Sequence, residues 1–203
     1  MNKKYFLVLY CIFFYCYSSH TFLYAQNNSI KDSLILWSNK PLSPLDFNII
    51  PDTSNTGFLV AYTFSNLNYM YRTGRKGSQE IIEIKIVNSF LKNKSWIKKS
   101  YIQDSFLLAH EQGHFDIGEI FARNFFKKMD SINLTSEYIS KLNKLSKEIG
   151  RGLDAEQIKY DIQTNHGRNI EMQEKWSRNI KSSLDTLKKY YQKSNIYKIS
   201  KSL

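Results

Sequence analysis

The first half of the chain consists of short apolar runs separated by residues that favour turns. The runs Leu34 to Trp37 and Phe58 to Phe64 have β-type composition, and prolines and glycines lie between them. After the turn-prone stretch Gly74 to Gly77, isoleucines at 82, 84 and 86 alternate with polar residues, which places them on one face of a strand. The pattern predicts a small sheet in this half of the protein.

The second half has helical periodicity. Asp104 can cap a helix that continues through Met129, because apolar residues recur there at helical spacing and no proline interrupts them. Three further helices are predicted: one capped by Thr135 and stopped by Gly150 and Gly152, one from Asp154 with Gln157 as capping partner to the Asn165-His166-Gly167 break, and one from Asn169 to Tyr190. Strands followed by helices predict an α+β fold.

The N-terminal segment has the pattern of a signal peptide. Two lysines precede an apolar run from Tyr5 to Tyr17, and a polar cluster follows Ala25, after which we expect cleavage. The run is shorter than a typical transmembrane helix, so an uncleaved anchor is the weaker alternative. Residues 1–25 are thus predicted to be a signal peptide and 26–203 a single exported domain, periplasmic or secreted. Both cysteines, Cys11 and Cys16, fall in the signal peptide, so no disulfide is predicted.

The chain is basic, with a formal net charge of +11. Loss of Lys3 and Lys4 with the signal peptide lowers this charge to about +9. The remaining lysines are scattered along helical patterns and form no compact cluster, which favours a solvated basic surface over a nucleic-acid partner. No membrane contact is predicted beyond the export signal.

The clearest chemical motif is His110-Glu111-Gln112-Gly113-His114. Residues four apart on a helix lie one turn above each other, so His110 and His114 can bind one tetrahedral ion. Glu111 lies beside them, where a carboxylate can accept a proton from water activated by the metal. This arrangement predicts a Zn²⁺ site with Glu111 as the general base.

A catalytic zinc ion usually has three protein ligands, so another must come from elsewhere. The metzincin pattern is absent, because its glycine and third histidine are replaced by Ile117 and Ile120. His166 is the remaining histidine of the exported chain and is the predicted third ligand. The alternatives are Asp161, Glu119 and Glu156, and Tyr160 is a candidate donor to the oxyanion of a hydrolytic transition state.

Two separated motifs resemble a family of bacterial secreted zinc-dependent proteases, catalogued as a domain of unknown function. They are Leu107 to Arg123 (LLAHEQGHFDIGEIFAR) and Tyr160 to Gly167 (YDIQTNHG), with further likeness at Gln173, Trp176, Trp37 and Ser95-Trp96. The resemblance implies a zincin-like fold, His110 and His114 as ligands, Glu111 as base and a site that includes the His166 region. Gln163 departs from the family pattern, which has glutamate there, and this puts metal affinity or activity in question.

Together these features predict an exported zinc-dependent metallohydrolase, specifically a peptidase. We expect its peptide substrate to lie extended beside a sheet edge, for which the strand Ile82 to Val87 is the candidate. Two alternatives stay open: an exported zinc-binding module without turnover, and a metal-free basic scaffold or adhesion protein. The sequence predicts neither the cleavage specificity nor the oligomeric state.

Overall fold

A computed structural model describes residues 33–132, 134–135 and 137–200. The predicted signal peptide, its cleavage site and both cysteines lie outside these residues. The described chain is α+β, as predicted, with a strand-rich N-terminal part followed by three α-helices. Among the helices in this part of the chain, none combines the length and apolar character needed to cross a membrane.

The larger sheet is built around one long strand. β5 (Gln79–Leu91) forms an antiparallel hairpin with β4 (Ser65–Lys76), in a register that runs from Ser65 opposite Phe90 to Lys76 opposite Gln79. On its other side β5 pairs with β1 (Leu34–Leu36) and with β7 (Ser194–Lys198), both antiparallel. The C-terminal strand β7 was not predicted from the sequence.

The strand Ile82 to Val87 is not a sheet edge, so that prediction was wrong. It lies inside β5, which is hydrogen-bonded to β4 on one side and mainly to β7 on the other. The predicted alternation is confirmed, because Ile82, Ile84 and Ile86 are all buried in the main hydrophobic core. Sequence alternation therefore gave the orientation of this strand but not its position in the sheet.

The second sheet is small and provides an edge strand. Its order is β2 (Asn48–Ile50), β6 (Trp96–Lys98) and β3 (Ala61–Tyr62), with β2 parallel and β3 antiparallel to β6. Among the described residues, β3 is therefore an edge strand of this sheet. A second core cluster, which includes Phe90, Ile97 and Phe115, packs beneath it.

The three helices are α1 (Ser105–Asp130), α2 (Tyr138–Thr164) and α3 (Ile170–Thr186). The predicted cap of α1 is confirmed, since the Asp104 side chain accepts a hydrogen bond from the Leu107 amide at 2.9 Å. Asn169 caps α3 in the same way, through the Met172 amide. A short 3-10 turn, Lys188–Tyr190, follows α3.

Where two helices were predicted between residues 135 and 165, the structure has one. Gly150 and Gly152 lie inside α2, and a Cβ on Gly152 would come within 3.0 Å of the Phe121 ring of α1. Each glycine costs an isolated helix about 1 kcal/mol relative to alanine, but tertiary packing along α1 outweighs that cost. Asp154 and Gln157 are consequently mid-helix residues and not the start of a helix.

Candidate metal centre

His110 and His114 lie on successive turns of α1 and direct the same ring atom to one point. Their Nε2 atoms are 3.2 Å apart, and the two rings meet edge to face at 4.7 Å between centroids. His110 is buried and His114 half-buried. The helical spacing thus produces the paired donors that the motif predicts.

The third donor comes from α2. Asp161 Oδ1 lies 3.2 Å from His110 Nε2 and 3.0 Å from His114 Nε2. Two ligands about 2.0–2.1 Å from a tetrahedral ion are separated by about 3.3–3.4 Å, so the three distances are close to those that one small ion requires. His110, His114 and Asp161 therefore form a group that could hold a metal ion.

Two glutamines fix the orientation of the imidazoles. Gln173 Oε1 of α3 lies 3.1 Å from His110 Nδ1, and Gln157 Oε1 of α2 lies 2.5 Å from His114 Nδ1. The amide nitrogens donate elsewhere, Gln173 to the Tyr160 hydroxyl and Gln157 to the His114 carbonyl oxygen, so each amide oxygen faces a ring. An oxygen acceptor requires hydrogen on Nδ1, which leaves the Nε2 lone pairs for a metal.

Glu111 is buried beside this group, with one oxygen unused. Its side chain is 4% exposed, and Oε2 has no hydrogen-bond partner in the described part of the chain. Glu111 nevertheless lines the same cavity as the three donors. A buried carboxylate oxygen without a partner is costly to the fold, and the Glu111 carboxylate lies beside the cavity, where a carboxylate can accept a proton from a bound molecule.

The cavity has a volume of about 270 Å³ and is lined by three parts of the chain. These are the segment 58–65, which contains the edge strand β3, the motif turns of α1, and one face of α2 with the turn that follows it. The edge of a sheet, the candidate metal group and Glu111 therefore share one cleft.

Tyr160 was predicted to donate to an oxyanion, and the structure places it elsewhere. Its ring is fully buried behind His110, stacked at 4.7 Å, and its hydroxyl donates to the His110 carbonyl oxygen at 3.2 Å. A Cβ at Gly113 would overlap that hydroxyl, so the glycine of the motif makes room for it. Tyr160 is therefore a positioning residue for His110, because it has no access to the cleft.

His166, the predicted third ligand, lies next to the group but is not part of it. Its Nδ1 is 3.4 Å from Asp161 Oδ1, and its ring packs against Phe58 at 5.1 Å between centroids. Asn165, His166 and Gly167 all have positive φ, and a Cβ on Gly167 would come within 2.9 Å of the His110 Cβ. This left-handed turn packs the end of α2 against the first ligand.

Glu119 and Glu156, the other two candidates for the third ligand, both form ion pairs. Glu119 is fully buried, and its Oε1 accepts from Arg123 at 2.8 Å and from Lys193 at 2.7 Å. Glu156 pairs with Lys159 at the surface of α2. Neither belongs to the candidate metal group, which leaves Asp161 as the carboxylate that the fold brings to the histidines.

Gln163 lies on a different face of α2 from Asp161 and accepts a hydrogen bond from Trp176 Nε1 at 2.9 Å. Residues two positions apart on a helix, such as 161 and 163, are separated by about 200° around its axis, so a side chain at 163 points away from the donors. An amide oxygen accepts from an indole as a carboxylate would. The departure from the family pattern therefore falls outside the metal group.

The charges of the site act strongly on His114. Burial lowers the pKa of its imidazole, but the hydrogen bond and negative charge of Asp161 outweigh burial and raise the pKa to about 9. Burial raises the pKa of Asp161, and its hydrogen bonds to both histidines hold that pKa well below its usual range. In the metal-free protein at neutral pH, a protonated His114 therefore pairs with an ionised Asp161.

We expect zinc affinity to increase with pH by about tenfold per unit between pH 7 and 9, because the ion must displace the proton of His114. The increase should level off above about pH 9, where the metal-free imidazole is already neutral. Histidine NMR of metal-free protein should show one imidazole titrating near pH 9, and zinc should abolish that titration. If every histidine titrates below pH 7, the pairing with Asp161 is absent in solution.

Sequence reasoning did not identify Gln157 as a partner of His114, because it assigned this residue to a helix cap. Gln173 was noted only through the family resemblance. The available signal was position: Gln157 is a polar residue four positions before Asp161, so on one continuous helix the two side chains lie on the same face.

Comparison with protein families gives one match. Residues 91–167 match a family described as "bacterial protein of unknown function (DUF922)". Searches of curated proteins and of solved structures give no match. The matched segment contains all three donors of the candidate metal group together with Glu111, and the description of that family leaves its activity open.

Proposed function

We propose that the protein is an exported zinc-dependent peptidase with a zincin-like site. One observation carries the proposal: three donor atoms lie 3.0–3.2 Å from one another, in a cleft that the buried carboxylate of Glu111 also lines. Two imidazoles and one carboxylate, with room for a further ligand, are typical of catalytic zinc sites. Export rests on the signal-peptide pattern of residues 1–25.

A bound zinc ion would supply Lewis acidity to a scissile carbonyl and lower the pKa of water toward 7. The protein's own contribution starts with Glu111, whose carboxylate accepts a proton from the attacking water and later passes it to the leaving amine. Asp161 and the two imidazoles would hold the ion, while Gln157 and Gln173 keep the ring nitrogens in the required tautomer.

The peptide lies along β3 in this proposal, because β3 is the edge of its sheet and lines the cleft. An extended substrate can add to such an edge by main-chain hydrogen bonds. This location replaces the interior strand Ile82 to Val87 as the substrate-binding edge.

In this proposal Tyr62, and not Tyr160, donates a hydrogen bond to the oxyanion. It lies on β3 and lines the cleft, where burial and the carboxylates Glu111 and Asp161 raise the pKa of its phenol. A phenol with a raised pKa stays protonated at neutral pH and can donate to the oxygen that becomes negative as water attacks.

The test combines metal content with hydrolysis. We expect about one zinc per mole of purified exported protein, and cleavage of a mixed fluorogenic peptide library that stops after chelation and returns with zinc. Bound zinc without cleavage of any peptide would indicate a zinc-binding module. Protein that takes up no zinc when offered it, and whose stability is unchanged by chelators, would contradict the proposal and favour the scaffold alternative.

A further inference from the structure

Asp154 is a second carboxylate on the face of α2 that carries Asp161. The two are seven residues apart, which corresponds to nearly two full turns and about 10 Å along the helix. Both line the cleft, and Gln157, the partner of His114, lies between them. Asp154 is thus part of the cavity wall but too far along the helix to join the metal group.

The Asp154 carboxylate has no cation in the described residues. Its Oδ1 is buried without a hydrogen-bond partner, and no lysine, arginine or histidine nitrogen lies within salt-bridge distance there. Burial raises the pKa of this carboxyl, with no opposing contribution. By contrast, Asp116 accepts from both Trp37 and Gln112. Burial therefore disfavours the ionised form of this half-buried carboxyl relative to an exposed one.

Asp154 has no direct cationic partner among the described residues of the cleft, even with a metal bound at the other carboxylates. A divalent ion would balance Asp161 and Glu111. Arg168 also lines the cleft, but its guanidinium donates to the Phe58 carbonyl oxygen and forms no ion pair with Asp154. The cavity also offers apolar surface, including Val60, Leu107 and Ile158, the last of which is one turn from Asp154 and half exposed. Apolar walls that end at a carboxylate suit a side chain with an aliphatic stem and a cationic tip.

We infer that Asp154 determines specificity by binding a lysine or arginine side chain of the peptide, within about three residues of the scissile bond. The inference rests on the proposed function, because the peptide must lie in this cleft. An extended chain rises about 3.4 Å per residue, so the 10 Å between Asp161 and Asp154 spans at most about three residues. A charge-assisted hydrogen bond from the cation would then give the Asp154 carboxylate a partner.

The test uses pairs of fluorogenic peptides that are identical except for lysine or norleucine at one position, scanned over three residues on each side of the cut. We expect kcat/KM to favour lysine by about tenfold or more at one position, and Asp154→Asn to reduce that ratio to near one. Glu156→Gln, which removes a nearby carboxylate that does not line the cleft, should keep the wild-type ratio.

A wild-type enzyme without lysine preference, or an Asp154→Asn variant that keeps it, would overturn the inference. Thermal stability gives an independent readout: the Asn variant should melt at the same or a higher temperature at pH 7.5, since an unpaired charge is removed. A clear decrease would mean that Asp154 holds the fold together, which also contradicts the inference.

If the proposed function itself is wrong, neither the lysine nor the norleucine peptides are cleaved, which distinguishes this outcome from a failure of the inference alone. In that case fluorescence anisotropy of the same peptides on zinc-loaded protein decides the question. Tighter binding of one lysine peptide, lost in Asp154→Asn, supports the inference, and equal binding of all pairs overturns it.

Discussion

Replacing Glu111 with glutamine should leave about one zinc per mole of protein and lower kcat/KM for a cleaved peptide by about a thousandfold or more. Glutamine has nearly the same shape but cannot accept a proton at neutral pH, and general-base catalysis contributes about 10²–10⁴ to rates. The three donor atoms belong to other residues, so the metal group should stay intact. Zinc content and steady-state kinetics on the same preparation measure both effects.

The matched control is Glu148→Gln, which removes an exposed carboxylate paired with Lys128 far from the cleft lining. It should change neither zinc content nor kcat/KM. Hydrolysis retained by Glu111→Gln would exclude this carboxylate as the base, whereas loss of zinc in the same variant would show that Glu111 supports the metal.

Replacing Asp161 with alanine should weaken zinc binding by more than a hundredfold, while replacing His166 with alanine should leave about one zinc per mole. Asp161 Oδ1 is 3.0–3.2 Å from both histidine donors, so its removal leaves only two ligands and no compensating charge. Loss of a residue that only contacts a metal ligand typically lowers metal affinity 10–100-fold. Loss of a metal ligand itself should lower the affinity by more than this.

Competition with a chromophoric chelator measures these affinities, and circular dichroism establishes that each variant is folded. Asp161→Asn serves as the isosteric variant, because it keeps an oxygen at the position and loses only the charge. Zinc retained by Asp161→Ala but lost from His166→Ala would restore the three-histidine site that the sequence alone favoured.

The sequence predicted α1 almost to the residue, since its cap, its periodicity and its chemical motif all lie within one helix. Asp161 was only one of several alternatives, because the phase of α2 against α1 depends on packing between residues about 50 positions apart. The prediction that Gly150 and Gly152 stop a helix also put Asp161 on a separate short helix. The close packing of Gly152 on Phe121 of α1 shows why glycine is present in a helix interior at that position.

The positions of the strands within the sheets were harder to predict from the sequence. Ile82 to Val87 alternates clearly, but whether such a strand lies at an edge depends on partners such as β7, more than 100 residues away. β3 has only two residues and no alternation to detect, yet it forms the edge that faces the cleft. Likewise, nothing in the local sequence distinguishes Tyr160, which is buried, from Tyr62, which lines the cavity.

Gln173, whose side-chain oxygen accepts from His110, determines in part which segment of the chain could be expressed alone with an intact site. The segment that matches the family, residues 91–167, ends before α3 and therefore excludes Gln173. It also excludes β1, β3 and β4, so an excised segment would keep the donor atoms but lose both the acceptor that fixes the His110 tautomer and the edge strand of the cleft. A functional form of this site must therefore include at least the chain from the first strand through α3, and β7, which pairs with β5, extends it further still, well beyond the boundaries that sequence similarity alone would suggest.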